Sequence, residues 1–203
     1  MFESQGWHTS ISDKVPTGYI DLDMFRDLHI NFSTFDIRLW YCHMTNGYVP
    51  MNLARQIISV DKDTTFEGRI LLAKTSRYNN IFLDYNALKP IADKIVMIGL
   101  EEEHKAFCED YFKVDYYKVE DAYDAAKKIA GCRCMISNQC GLYSIAEMMK
   151  TPRMLCTAEY IEIEHPKTGQ LVHVPGPCNV IPQGGICYAI GTTAKLKAIV
   201  EEL

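Results

Sequence analysis

The chain has 203 residues, of which 48% are hydrophobic and 23% charged, and its formal net charge at pH 7 is −5. This length and composition are typical of one globular domain with a full hydrophobic core, with or without an extension. The negative charge, with no local run of Lys or Arg, argues against nucleic acid or an acidic membrane surface as a partner. No apolar stretch approaches the roughly 20 residues of a membrane span.

The N-terminal stretch MFESQGWHTSISDK lacks the basic start and the apolar segment of a signal peptide. We therefore expect the protein to work in a cytoplasm. Its eight cysteines include no C-x-x-C pair, and the one close pair, Cys132 and Cys134, has a spacing that does not suit zinc. We predict reduced thiols, no metal site and no cofactor.

Residues 1–66 are predicted to form an N-terminal arm and cap. Residues 1–15 are polar and without pattern, Asp21–Leu28 could form a short helix, and Asp36–His43 alternates as a strand does. Aromatic residues recur in this region, and they would suit a surface through which a homo-oligomer forms: Phe25, Phe32, Phe35, Trp40 and Tyr41.

Residues 67–203 alternate short apolar runs with helical patterns. Five strands are predicted, at Arg69–Ala73, Lys94–Ile98, Val114–Val119, Cys134–Ser137 and after Pro152. Helices are predicted at Asp84–Ala92, Glu101–Tyr111 and Asp121–Ala130, and from Gly141 onward. This alternation predicts an α/β fold with a doubly wound parallel sheet, which is a Rossmann-like architecture.

The last part of the chain departs from this alternation. Glu162–Val174 is predicted to form a hairpin, and Pro175–Gly185 is too rich in Pro and Gly for anything but a loop. A terminal helix is predicted over Thr192–Leu203, capped by Thr192 or Thr193.

Ligands on doubly wound sheets bind at the carboxyl ends of the strands. That rule selects four loops, which are Lys74–Asn80, Gly99–Glu102, Val119–Asp121 and Asn138–Gly141. The last of them combines backbone N–H groups with a helix N-terminus, which suits a diphosphate.

The turn Asn138-Gln139-Cys140-Gly141 matches neither the dinucleotide nor the P-loop glycine pattern. An ordinary strand-to-helix turn that uses Gly141 for backbone freedom is the alternative interpretation. Cys140 is a candidate reactive thiol because it precedes a helix, but catalysis would also need a neighbouring His.

The loop after the first strand supplies Lys74, Thr75, Ser76 and Arg77. Two cations and two hydroxyls could clamp phosphate oxygens, with Arg77 able to bind in a bidentate fashion. A solvated loop is the alternative. Glu147 follows the turn by two helical turns, where a carboxylate could take two ribose hydroxyls; a solvent-facing glutamate is the alternative there.

In their order, four segments resemble the C-terminal, donor-binding half of a GT-B glycosyltransferase, and they are most similar to the heptosyltransferase-like group (glycosyltransferase family 9). The segments are GRILLAKTSRYNN, KIVMIGLEEEHKAFCEDY, AAKKIAGCRCMISNQCGLYSIAEMMKTPRML and PCNVIPQGG, and they cover about residues 68 to 185. The resemblance implies a metal-independent domain that binds a nucleotide-sugar. It implies that Lys74 or Arg77 contacts the pyrophosphate, that Asn138–Gly141 receives the phosphates, and that Glu147 reaches the ribose.

Members of that group usually carry Asp-[ST]-Gly at the turn, where this chain has Asn138-Gln139-Cys140-Gly141. A complete GT-B enzyme also has an N-terminal domain that holds the acceptor, whereas about 65 residues precede the first clear strand here. Two functions therefore stay open. One is a glycosyltransferase-like protein that binds and transfers a donor sugar, and the other is a non-catalytic half-domain that binds a nucleotide or mediates protein interaction.

Overall fold

The computed structural model describes residues 56, 58–76, 79–80, 82–157, 160–164, 171–175 and 184–201, with backbone alone for 160–164 and 171–175. The predicted arm, the aromatic dimer surface and Arg77 lie outside the described residues. So does most of the predicted Pro175–Gly185 loop.

The described residues contain eight strands. They are β1 Ile70–Ala73, β2 Ile95–Ile98, β3 Asp115–Tyr117, β4 Cys134–Ser137, β5 Arg153–Cys156, β6 Tyr160–Glu164, β7 Leu171–Pro175 and β8 Cys187–Ile190. Six form one sheet in the order β3-β2-β1-β4-β5-β8, in which every neighbouring pair is parallel. The predicted doubly wound parallel fold is confirmed.

Four α-helices accompany these strands: α1 Glu101–Asp110, α2 Ala122–Gly131, α3 Gly141–Met149 and α4 Thr193–Val200. Asp121 caps α2 by accepting hydrogen bonds from two backbone N–H groups. Thr192 caps α4 by accepting a hydrogen bond from one backbone N–H group. Within the described part of the chain, we find no helix with the length and apolar character that a membrane span requires.

The segment predicted as a helix over Asp84–Ala92 is a 3-10 helix, Tyr85–Lys94. Pro90 lies inside it and provides no N–H, and Ile91 has non-helical backbone angles (φ −117°, ψ 20°). A regular α-helix therefore cannot run through this segment. The 3-10 helix follows β1. Together with α1 and α4 it covers one side of the sheet, which we call the first face.

The second face is covered by α2 and α3. Because side chains alternate along a strand, Ile70 and Leu72 point to the first face and Leu71 and Ala73 to the second. All four residues of β1 are buried, as expected for the central strand of a sheet with helices on both sides.

Residues 58–66, which the predicted boundary at 66/67 assigns to the N-terminal extension, pack against the second face. Ile58 is buried in its core, and the backbone N–H of Asp63 donates to Lys127 O near the end of α2. The approach is so close that a Cβ on Gly131 would lie 1.8 Å from Asp63 O. The α/β unit therefore includes this segment.

The sequence pattern does not predict β8, which adds a sixth strand at the edge of the sheet. Its register with β5 pairs Arg153 with Cys187 and Cys156 with Ile190. Tyr188 is exposed, so the segment lacks the continuous apolar pattern that marks the inner strands. The predicted hairpin is present as the antiparallel pair β6 and β7.

Candidate functional site

A cleft of about 640 Å³ lies at the carboxyl edge of the sheet. The strand order reverses between β1 and β4, and such switch points are where doubly wound folds bind ligands. The loops after β1, β2, β3 and β4 all contribute lining residues, as do the first turns of α1, α2 and α3. Each of the four loops selected from the sequence thus reaches the same cleft.

At one end of the cleft lies the start of α3. Its N-cap residue is Cys140, whose side chain makes no capping hydrogen bond. Gly141 is not among the glycines with positive φ, and a Cβ at this position would meet no atom within 4 Å. Backbone freedom therefore does not explain Gly141, and the missing side chain leaves the helix end open to the cleft.

At the other end lies the turn between β2 and α1. Gly99 has φ 134°, a conformation that L side chains rarely adopt. The Glu103 carboxylate lies beside Gly99, so that a Cβ there would be 3.2 Å from Oε2. The Leu100 N–H donates to the same oxygen at 3.4 Å. Gly99 thus makes room for a carboxylate directly beyond the end of β2.

The wall between these ends is apolar. Leu100 is 57% exposed although it occupies an N-cap position, where a polar residue is usual. The other apolar side chains that line the cleft are Val119, Ala122, Ala125, Leu142 and Ile145. This surface could accept a flat apolar group.

Carboxylates dominate the charge of the cleft. Among its described lining residues are four of them, Glu101, Glu102, Glu103 and Asp121, against the single ammonium of Lys118. A hydrogen bond from Lys105 lowers the pKa of Glu101, and backbone N–H groups lower the pKa of Asp121. Both carboxylates are therefore ionised at neutral pH.

Tyr116 lines the same end of the cleft and stacks on His104, with 4.8 Å between the ring centroids. Its hydroxyl donates to Gly99 O at 3.0 Å. Burial and the neighbouring glutamates raise the pKa of Tyr116, which keeps the phenol neutral.

The predicted ligand Asn138 has a different role. Its buried side chain bonds to the backbone of Thr75, with Nδ2 donating to Thr75 O at 2.8 Å and Oδ1 accepting from Thr75 N at 3.0 Å. It therefore joins the ends of β4 and β1 rather than facing a ligand. Gln139 is also buried and does not line the cleft.

Of the four residues of the predicted phosphate clamp, Thr75 lines the cleft, Lys74 and Ser76 do not, and Arg77 lies outside the described residues. Lys74 lies on the first face, with Nζ 5.7 Å from the Tyr85 ring centroid and 5.6 Å from that of Tyr111. Ser76 is exposed and does not line the cleft either. Thr75 does line it, because alternation along the chain turns its side chain to the side opposite Lys74.

Glu147, predicted to contact a ribose, is fully buried and is not a lining residue. Its carboxylate accepts from Arg153 Nε at 2.5 Å and from Lys150 Nζ at 2.6 Å. The Arg153 guanidinium also donates to Gly184 O at 2.9 Å. The solvent-facing interpretation of Glu147 is therefore wrong, and the carboxylate predicted to take ribose hydroxyls is instead paired with Arg153, the first residue of β5.

Among the described cysteines, Cys140 alone lines the cleft. Cys134 and Cys156 are free thiols in the first-face core, where burial raises the pKa of each to about 12. Such thiols are unreactive at neutral pH. Cys140 lines the cleft, and its Sγ lies 3.1 Å from Ser137 Oγ.

In the described part of the chain, no three His, Cys, Asp or Glu side chains are grouped so that they could hold a metal ion. Comparisons with models of protein families, with curated proteins and with solved structures gave no match for this chain. The chemistry of the cleft is therefore the basis for a functional assignment.

Proposed function

We propose that the chain is a glycosyltransferase-like protein that binds a nucleoside-diphosphate sugar in this cleft. The observation that carries the proposal is the position of the cleft, at the switch point of the sheet and against the open start of α3. Helix starts of this kind bind phosphate groups through their N–H groups and their dipole.

The diphosphate is placed at α3 and not at the loop after β1. In dinucleotide-binding folds the first strand's turn holds the pyrophosphate with backbone N–H groups. Here the N–H of Thr75 in that loop already donates to Asn138. At α3, the space in front of Gly141 is open and no capping side chain from Cys140 fills it.

A diphosphate at this helix end is also what sugar transfer needs. The donor's bond to the sugar breaks as negative charge develops on the departing diphosphate, and fixed dipoles directed at that charge stabilise the transition state. No step requires the predicted cations Lys74 and Arg77.

The test is a matched pair of variants. Gly141→Asp puts a carboxylate at the start of α3, and Ala194→Asp puts one in the first turn of α4, which packs on the first face. A carboxylate in a first turn is compatible with a helix, so both variants should fold. Isothermal titration with UDP-, GDP- and ADP-sugars should show a donor that binds the wild type and Ala194→Asp but not Gly141→Asp.

Two other results are informative. Absence of binding by every donor, or equal binding by both variants, would overturn the proposal. If one donor binds, release of its sugar to water or to an added acceptor distinguishes an active transferase from a non-catalytic binder.

A further inference from the structure

A histidine and a cysteine on α1 converge outside the cleft, and we propose that they bind a soft divalent metal ion such as Zn²⁺. His104 Nε2 lies 3.3 Å from Cys108 Sγ and 3.0 Å from Val114 O, in the segment that leads into β3. Neither side chain lines the cleft. This metal site is therefore separate from the proposed nucleotide site, and either could exist without the other.

Three polar atoms surround one position beside the His104 ring. Because a carbonyl oxygen only accepts, Nε2 carries the hydrogen of the bond to Val114 O. The sulfur of Cys108, a weak acceptor, lies within 3.3 Å of the same nitrogen. A metal ion in place of that hydrogen would meet a nitrogen, a sulfur and an oxygen.

The separation of the two side chains suits coordination. Zinc binds a thiolate at about 2.3 Å and an imidazole at about 2.1 Å, and a tetrahedral angle between these bonds sets sulfur and nitrogen about 3.6 Å apart. The observed 3.3 Å has to widen by only a few tenths of an ångström. The spacing His-x₃-Cys places both ligands one turn apart on the same helix face. Val114 O and water can complete a four-coordinate site.

The imidazole is held in position before any metal binds. Its ring stacks on Tyr116 of β3, with 4.8 Å between the centroids and 21° between the planes. A ligand that is already oriented binds with little loss of side-chain entropy. His104 and Cys108 are both half-buried, so that the site is neither sealed in the core nor fully solvated.

The charge of α1 favours a cation over an anion. The helix carries five carboxylates and one ammonium, which are Glu101, Glu102, Glu103, Glu109, Asp110 and Lys105. Cys108 lies in its last turn, where the helix dipole is negative. Binding of the metal releases the thiol proton, while the imidazole keeps one hydrogen, on Nδ1. Thiolate and imidazole select Zn²⁺ or Co²⁺, whereas Mg²⁺ and Ca²⁺ prefer oxygen ligands.

The experiment titrates Co²⁺ into the full, reduced chain and then adds Zn²⁺. A cobalt–thiolate bond produces a charge-transfer band in the near ultraviolet, which the wild type should show and Zn²⁺ should abolish. Cys108→Ser should lose the band, because a hydroxyl is a poor ligand for these metals. His104→Phe keeps a ring to stack on Tyr116 but removes the nitrogen ligand, and it should weaken cobalt binding at least about 10-fold.

Cys132→Ser is the matched control. Cys132 is also half-buried, but its thiol donates to Ile129 O and burial raises its pKa to about 12. This variant should bind cobalt as the wild type does. A wild type without the band would overturn the proposal, as would an unchanged band in Cys108→Ser or an unchanged affinity in His104→Phe. Displacement of the cobalt by excess Mg²⁺ would also overturn it, because carboxylates would then hold the ion.

Discussion

The side chain of Asn138 and the backbone of Thr75 bond in both directions, across the point where the strand order reverses. The amide donates to Thr75 O at 2.8 Å and accepts from Thr75 N at 3.0 Å. The two bonds fix the loop after β1 against the turn after β4. Because a carboxylate could accept but could not donate, the amide allows residue 138 to make both bonds.

Asn138→Ala should destabilise the fold. The change removes the partner of a part-buried N–H and a part-buried C=O of Thr75, and a group left unpaired when fully buried costs about 1–3 kcal/mol. We expect a loss of about 2 kcal/mol or more in the free energy of unfolding, measured by urea denaturation. Ser76→Ala, an exposed neighbour, is the control and should change stability little. Equal stabilities of the two variants would show that the pair is dispensable.

Glu147 and Arg153 form a buried ion pair, and removal of one partner should be costly. Glu147→Leu leaves a buried guanidinium uncompensated, for which about 3–5 kcal/mol is typical. The double variant Glu147→Leu, Arg153→Met should lose less than the sum of the two single variants, because the Arg153 guanidinium and the Glu147 carboxylate are no longer left buried without each other, although Lys150 still loses its acid. Thermal and urea unfolding measure both effects.

The exposed pair Glu101 and Lys105 provides the comparison for that cycle. Lys105→Met should leave the free energy of unfolding nearly unchanged, since surface pairs contribute little. Strict additivity of the Glu147 and Arg153 variants would contradict the account of a coupled buried pair. Because Glu147 lies outside the cleft, any folded variant at this position should bind nucleotide as the wild type does.

Acid should weaken the attachment of residues 58–66 to α2. A hydrogen bond from Lys128 holds the pKa of Asp63 well below its ordinary value of 3.8. A carboxylate whose pKa is lowered by folding contributes stability above its unfolded pKa, and this stability is lost as the pH falls toward the folded value. The free energy of unfolding should therefore fall below about pH 4, and less steeply in Asp63→Asn.

The exposed Asp93 is the control for that titration. Asp93→Asn should leave the acid limb of the stability curve as steep as in the wild type. If Asp63→Asn and the wild type lose stability in parallel below about pH 4, the ion pair does not contribute as described.

Gly131 and Gly141 should respond oppositely to alanine. A Cβ on Gly131 would lie 1.8 Å from Asp63 O, which is backbone that must move. Overpacking of this kind costs about 1–3 kcal/mol, visible as a lower melting temperature. A Cβ on Gly141 meets nothing, so Gly141→Ala should melt at or slightly above the wild-type temperature. A destabilised Gly141→Ala would contradict the open helix end.

The fold was predictable because it rests on local patterns. Short apolar runs separated by helical periods predicted the first five strands of the parallel sheet within one or two residues, as for Cys134–Ser137. The edge strand β8 was missed because it lacks that pattern, and Pro90 converted a predicted helix into a 3-10 segment. Each error arises where a strand is exposed or where proline removes a hydrogen bond.

The site was predictable as a set of loops but not as a set of side chains. The carboxyl-end rule located the cleft correctly, and it rests on topology alone. Which way Lys74 points depends on register within β1, and the burial of Glu147 depends on its pairing with Arg153 of the next strand. One signal was available: an arginine in an otherwise apolar strand requires a buried acid nearby.

The most direct test of the central claim is amide hydrogen exchange of the full chain with and without the tightest-binding nucleoside-diphosphate sugar. The account predicts slower exchange, on binding, of the Gly141 and Leu142 amides and of the turn at Gly99–Glu103, which are the two ends of the cleft. Protection confined to the first face, around Lys74 and Tyr85, would contradict it.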